Sequence, residues 1–189
     1  MIKAWVIAGA AVFAAAVAPR LDADVLDGVL KVNSASIDLV HSVYRLHARI
    51  EYPMSPAIAR ALADGVALQF TLEARVTRHR RLWIDPVIAD ATLRRELAFH
   101  SVSDRYVVRQ MGSGSQQSFG TLRDALAFLS RVDGWPVLVA SQISKGEEYH
   151  ISVRAGIRRG TLPASLRVLL FWTSDWQRLS GWYTWKLAG

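Results

Sequence analysis

The residue types that act as metal ligands or proton carriers are dispersed along this 189-residue chain. No pair of histidines has the HxH or HExxH spacing that brings two imidazoles to one metal ion. The histidines are His41, His47, His79, His100 and His150. The first two fall on one face of a predicted strand but lie about 20 Å apart along it. The spacing therefore predicts no metal site and no bound cofactor.

Paired carboxylates and activated nucleophiles are missing from the sequence pattern as well. Glu147 and Glu148 are adjacent, so on a strand their side chains would point to opposite faces. Segment 22–33 opens like a calcium-binding loop, but Asn33 stands where a bidentate glutamate is needed. Segment 112–116 (GSGSQ) is a loop tip and not the G-x-S-x-G turn of a hydrolase. Because the chain also has no cysteine, we expect no catalytic residues and no enzymatic activity.

The elements that would position these residues are mainly strands. In Val43–Tyr52, one face is apolar or aromatic and the other carries arginine, histidine and glutamate, and Val66–His79 alternates in the same way. Further strand-like runs are Val29–Leu39, Ala91–His100, Arg105–Met111, Tyr149–Ile157 and Leu166–Trp172. The alternation predicts one core that contains Leu46, Ile50, Leu68, Phe70 and Leu72.

Two short helices interrupt the strands. Ser55 and Pro56 form a capping pair that opens the first helix, and Gly65 ends it. Thr121 caps the second helix, which is predicted to stop at Gly134. This order of elements predicts an α+β fold, mostly β, with an antiparallel sheet or β-sandwich and two short helices.

The N-terminus indicates the compartment. Lys3 supplies a positive charge, and Ala4–Ala18 is an uncharged apolar run, shorter than the roughly 20 residues needed to span a membrane. An A-x-A cleavage pattern closes the run, but Pro19 follows it and suits a protease poorly. We predict that 1–18 is a signal peptide or a short uncleaved anchor, that 19–189 is a single globular domain, and that the domain is periplasmic.

Basic residues give the chain a net charge of +7. They are spread at alternate strand positions, a pattern typical of a solvated sheet face, and export would separate the chain from nucleic acid. We therefore expect an envelope or membrane protein as the partner, with anionic lipid or a glycan as the alternative and no nucleic acid. The predicted contacts on this face are Arg45, Arg49 and Arg75.

Tryptophan is concentrated near the C-terminus, at Trp172, Trp176, Trp182 and Trp185. Two interpretations stay open. In the first, the rings are part of the core where the last strands meet, and Trp176 and Trp182 are mainly structural. In the second, the rings form an aromatic platform for a glycan, peptide or membrane interface. In the second case Trp182 and Trp185 join the predicted contact residues.

Five segments together resemble one protein family: YPMSP at 52–56, QSFGTL at 117–122, GWP at 134–136, SDW at 174–176 and WYTW at 182–185. They are similar to the uncharacterised proteobacterial family known as domain of unknown function number 4390. The resemblance implies an exported, single-domain protein encoded beside a membrane sensor kinase of the nitrogen-regulation type. It implies no catalytic residues, because the family defines none.

The expected function is therefore that of an exported, non-enzymatic binding or interaction module, an accessory to a membrane sensor protein. The alternative is an envelope enzyme acting on a glycan or peptide, with a site assembled from dispersed acidic residues and histidines. A binding module would expose an apolar or basic patch, whereas an enzyme would show titratable groups converging on a cleft.

Overall fold

A computed structural model describes residues 28–160 and 177–187. Their strands are β1 (Lys31–Val40), β2 (Val43–Glu51), β3 (Leu68–Arg78), β4 (Val87–His100), β5 (Arg105–Gln110), β6 (Gln116–Phe119), β7 (Arg131–Val139), β8 (Tyr149–Arg159), β9 (Gln177–Leu179) and β10 (Tyr183–Lys186). The helices are α1 (Pro56–Ala63) and α2 (Leu122–Leu129), with a 3₁₀ turn at Ala140–Gln142. The predicted signal peptide or anchor, the predicted strand Leu166–Trp172 and Trp176 lie outside the described residues. The predicted α+β fold, mostly β, is confirmed.

The strands form two antiparallel sheets. The small sheet has the order β1-β2-β7. The large sheet has the order β10-β8-β3-β4-β5-β6, with β9 also paired to β8. The neighbours in both sheets pair antiparallel, and short hairpin turns join β1 to β2 and β4 to β5.

The inner faces of the two sheets share one hydrophobic core. The alternation along β3 buries every second residue from Leu68 to Val76, at 0 to 2% exposure. The opposing face of the small sheet contributes Leu46 and Ile50, which belong to the same cluster of buried residues. The predicted core residues Leu46, Ile50, Leu68, Phe70 and Leu72 therefore lie in one core, as the period of two requires.

Both helices begin at the predicted caps. The hydroxyl of Ser55 accepts a hydrogen bond from the backbone N–H of Ile58, and Pro56 occupies the first turn, where a missing N–H costs nothing. The hydroxyl of Thr121 accepts one from the N–H of Asp124 at 3.1 Å. Each helix turns an apolar face onto the core through its buried residues, which are Ile58, Leu62, Ala125, Leu126 and Leu129.

One strand differs from the prediction. Gly134, Trp135 and Pro136 were expected to follow the second helix as a stop, but they lie inside β7, where Trp135 and Pro136 pair with β2 and Gly134 lies at a register shift. The pairing contains two register shifts, one between Tyr44 and Arg45 and one between Leu46 and Ala48. These shifts accommodate the proline and the glycine, whose φ is positive. An antiparallel pair of strands tolerates a left-handed glycine and a proline at a bulge. Residues that commonly end a helix therefore lie within a strand here.

Candidate functional site

The predicted contact arginines lie on the outer faces of the sheets, and two of them are paired internally. Arg49 on β2 donates to the carboxylate of Asp133 at 3.0 Å. The Nε and Nη2 atoms of Arg75 on β3 both donate to Oδ2 of Asp90, at 3.2 and 3.1 Å. Arg45 is half-buried on β2. These carboxylates already balance much of the positive charge that was expected to meet a partner.

Trp182 and Trp185 take different positions and do not form one platform. Trp185 on β10 is half-buried and packs against the core. Trp182 is 40% exposed on the outer face of the large sheet, with its ring over the guanidinium groups of Arg154 and Arg75. The interpretation that places Trp182 in the core does not fit this exposure, and the expectation that the ring is mainly structural stays a prediction.

Large apolar side chains are exposed at the β3–β4 turn, which we call the apolar loop (residues 79–86). Its tip is formed by three consecutive large side chains, Leu82, Trp83 and Ile84, which are 88%, 79% and 93% exposed. Asp85-Pro86 is typical of a turn, but the sequence alone does not show that the apolar side chains before it are exposed.

The base of the apolar loop is closed by hydrogen bonds. The backbone N–H of Arg78 donates to the carbonyl of Pro86 at 3.0 Å, and that of Arg80 donates to Oδ1 of Asp85 at 2.8 Å. This second bond holds the pKa of the Asp85 carboxyl below its ordinary value. Arg80 and Arg81 are exposed beside the tip, and within residues 28–160 and 177–187 neither guanidinium lies in salt-bridge range of a carboxylate.

Two histidines and an aspartate converge beneath the same loop. His79, Asp85 and His150 each offer a ligand atom, and these atoms all lie within 4.8 Å of one another. Nδ1 of His79 is 3.4 Å from Oδ2 of Asp85, and the two imidazole rings are perpendicular with centroids 5.5 Å apart. Glu148 lies beside them, with Oε1 3.7 Å from Nε2 of His150. Sequence spacing missed this cluster because two of its members come from the apolar loop and the third comes from β8, far along the chain.

Another histidine, His47, lies against a cavity of about 380 Å³ on the small sheet. Nε2 of His47 is 3.0 Å from Oδ1 of Asp38, and its Nδ1 is 3.7 Å from Oδ1 of Asp133. The imidazole of His47 therefore lies between two carboxylates on the sheet face, at hydrogen-bond distance from Asp38 and beyond it from Asp133. Such an arrangement is typical of a polar sheet surface.

Comparison with known proteins gives one match. The family model described as "Domain of unknown function (DUF4390)" matches residues 28–186. No curated protein and no solved structure matches the chain significantly. Within the described residues, no helix combines the length and apolar character that crossing a membrane requires.

Proposed function

The chain belongs to the DUF4390 family, whose description names no activity, and we propose that it is a non-enzymatic binding module of the envelope that docks on an anionic membrane surface through its apolar loop. The observation that carries this proposal is the exposure of Leu82, Trp83 and Ile84 at one hairpin tip. A protein that stays in water does not gain from three such side chains in a row.

The side-chain types at the tip match a bilayer interface. Tryptophan is enriched at the level of lipid headgroups, where its ring is apolar and its N–H can still reach a polar partner. Fully burying an apolar side chain of this size gains about 1.5–3 kcal/mol, so partial insertion of three supports reversible and not permanent attachment. A protruding tip also fits a soft surface, whereas a protein partner would need a matching groove.

The charges beside the tip favour anionic lipid. The guanidinium groups of Arg80 and Arg81 are exposed on the same loop, and a guanidinium binds phosphate oxygens through a planar pair of donors. Each basic residue near an anionic surface adds about 1 kcal/mol of attraction. The net charge of +7 attracts the whole molecule to the same kind of surface.

Attachment by this loop also supports an accessory role. A module held at the bilayer by one hairpin tip would place its outer sheet faces next to neighbouring membrane proteins, so a membrane sensor protein stays the proposed downstream partner. The alternative of an envelope enzyme gains no support from the 380 Å³ cavity, because the imidazole of His47 lies there between the carboxylates of Asp38 and Asp133.

A site-specific fluorescence experiment tests the docking. The chain has no cysteine, so Ile84→Cys in the full-length chain can carry a single polarity-sensitive dye. Val102→Cys is the matched control, since Val102 is fully exposed at the β4–β5 turn, about 45 Å away along the 14-residue strand β4. Both variants keep the same N-terminal apolar run, so any binding by that run affects them equally.

With vesicles of phosphatidylglycerol and phosphatidylcholine, we expect a blue shift of the dye at position 84 and none at position 102. Vesicles of phosphatidylcholine alone should give a smaller shift. The lipid proposal is wrong if position 84 does not respond, or if both positions respond equally. It is also wrong if position 84 responds only when the vesicles carry envelope membrane proteins, because the partner is then a protein.

A further inference from the structure

At the base of the apolar loop, we propose that His79, Asp85 and His150 form a binding site for one divalent transition-metal ion, such as Zn²⁺. His79 and Asp85 come from the apolar loop, and His150 comes from the start of β8. Their ligand atoms already lie within 4.8 Å of one another. This inference stands on the cluster alone and does not depend on membrane docking.

The sheet register brings the two imidazoles together. Thr77 pairs with His150 in the β3–β8 ladder, and both face outward. His79 follows two residues later on the same face, and its backbone N–H donates to the carbonyl of Glu148 at 2.7 Å, which continues the pairing past the end of β3. The positions of both histidines are therefore fixed by backbone hydrogen bonds and not by flexible loop contacts.

The loop supplies the third ligand in a fixed position as well. The Arg80 N–H holds one oxygen of Asp85 at 2.8 Å, and the other oxygen, Oδ2, lies 3.4 Å from Nδ1 of His79. In a tetrahedral site with bonds of about 2.0–2.1 Å, neighbouring ligand atoms are roughly 3.3 Å apart. The observed separations reach that value after side-chain movements of about 1 Å, which partly exposed groups can make.

The donor set selects the class of metal. Two imidazoles with one carboxylate suit zinc and the neighbouring divalent transition metals, whereas calcium and magnesium prefer oxygen ligands alone. Glu148 adds a second carboxylate at the edge of the cluster, and its Oε1 is 2.6 Å from Nζ of Lys186. This pairing holds the pKa of Glu148 below its ordinary value and offsets the lysine charge beside the cation.

A metal ion at this position would join three parts of the chain. His79 is the first residue of the apolar loop, Asp85 lies six residues later near its end, and His150 belongs to the neighbouring strand. Coordination by all three would close the loop more firmly than its two hydrogen bonds do, and would fasten it to β8. The proposed ion is therefore structural and fixes how the tip is presented.

Calorimetric titration of the untagged full-length chain with Zn²⁺, after dialysis against a chelator, tests the site. We expect one equivalent to bind and Ca²⁺ not to compete. Removing a residue that only hydrogen-bonds to a metal ligand lowers metal affinity by about 10- to 100-fold. Removing a ligand itself should cost more, so we expect His150→Ala and Asp85→Asn each to lower the Zn²⁺ affinity by more than about 100-fold. His47→Ala is the matched control, because His47 also lies between carboxylates but outside the cluster.

NMR supplies a measurement on the unmodified chain, in which Zn²⁺ should shift the imidazole resonances of His79 and His150 but not those of His47. Circular dichroism of each variant verifies that it is folded. The proposal is overturned if the wild-type chain binds no Zn²⁺, if the His150 and Asp85 variants bind like the wild type, or if His47→Ala removes the binding.

Discussion

The ring of Trp182 lies directly over the guanidinium of Arg154, with the arginine Cζ 4.4 Å from the ring centroid. The same guanidinium donates to the carboxylate of Glu73 at 2.8 Å, so one arginine joins an acidic residue of β3 to the segment before β10. The guanidinium of Arg75 also lies near the ring, with its Cζ 5.3 Å from the centroid. This polar assembly on the outer face fastens the last described segment to the large sheet.

Truncation of Trp182 should therefore cost a moderate amount of stability. A partly exposed cation–π contact contributes about 0.5–1 kcal/mol, and the covered part of the ring adds apolar burial, so we expect Trp182→Ala to lower the free energy of unfolding by about 1–2 kcal/mol. A tryptophan in the core would cost about 3–5 kcal/mol. Trp83→Ala is the control, because Trp83 is 79% exposed at the loop tip and should change stability by less than about 0.5 kcal/mol.

Urea denaturation of both variants separates these cases. A loss above about 3 kcal/mol for Trp182→Ala would be that of a core tryptophan and would favour the first of the two interpretations drawn from the sequence. A negligible loss would mean that the contact with Arg154 does not stabilise the fold.

Gly156 should not tolerate a side chain, because β8 passes close to its neighbours there. A Cβ added at Gly156 would lie 2.5 Å from Oγ1 of Thr71, its partner on β3, and 2.8 Å from a methyl carbon of Leu179. The threonine is β-branched and stiff, so we expect Gly156→Ala to destabilise the protein by about 1–3 kcal/mol. Gly120→Ala, where nothing lies within 4 Å, should stay within about 0.5 kcal/mol in thermal melts.

Removing the obstruction should restore part of that loss. In the double variant Thr71→Ala/Gly156→Ala, the hydroxyl that meets the new methyl group is gone. A double variant that is less stable than the sum of its single changes would contradict the close-approach explanation.

The strands were predictable because burial on one side leaves a period of two in the sequence, as in β3, where Leu68 to Val76 alternate without a break. The histidine cluster was not, because it depends on the register between β3 and β8. His79 and His150 are remote in sequence, and a slip of one residue would turn one of them to the other face. The exposure of Leu82, Trp83 and Ile84 was hidden for a related reason. An apolar triplet has the same composition in a core as at a hairpin tip, and only the fold distinguishes them.

Stability should depend on pH through Asp133. The hydrogen bond from Arg49 holds the pKa of Asp133 in the folded state below its ordinary value of 3.8. A carboxyl with a depressed folded-state pKa stabilises the fold above its ordinary pKa, and this stabilisation is lost as the pH falls through the folded-state value. The melting temperature of Arg49→Met should thus fall below that of the wild type near neutral pH, and the difference should shrink below about pH 3.8.

Asp133→Asn is the control for this pH dependence. Once the carboxyl is gone, adding Arg49→Met should give a difference in melting temperature that no longer varies between pH 6 and pH 3. The opposite result, with Asp133 present, is that the melting temperatures of Arg49→Met and the wild type differ by the same amount at low and neutral pH. That result would mean that Arg49 acts through packing and not through the ion pair.

The apolar loop should be dispensable for folding and necessary for docking. Leu82, Trp83 and Ile84 are largely exposed, so the triple variant Leu82→Ser/Trp83→Ser/Ile84→Ser should keep the wild-type urea midpoint. Its binding to phosphatidylglycerol vesicles in a sedimentation assay should fall by more than about tenfold. A loss of about 1.4 kcal/mol of apolar burial is already enough for a tenfold change in affinity. Arg80→Gln/Arg81→Gln should weaken binding at low salt, and the difference should vanish at about 1 M salt, where charges are screened within roughly 3 Å. Val102→Ser should bind like the wild type. A triple variant that unfolds more easily but binds vesicles unchanged would show that the tip serves the fold and that the membrane contact lies elsewhere.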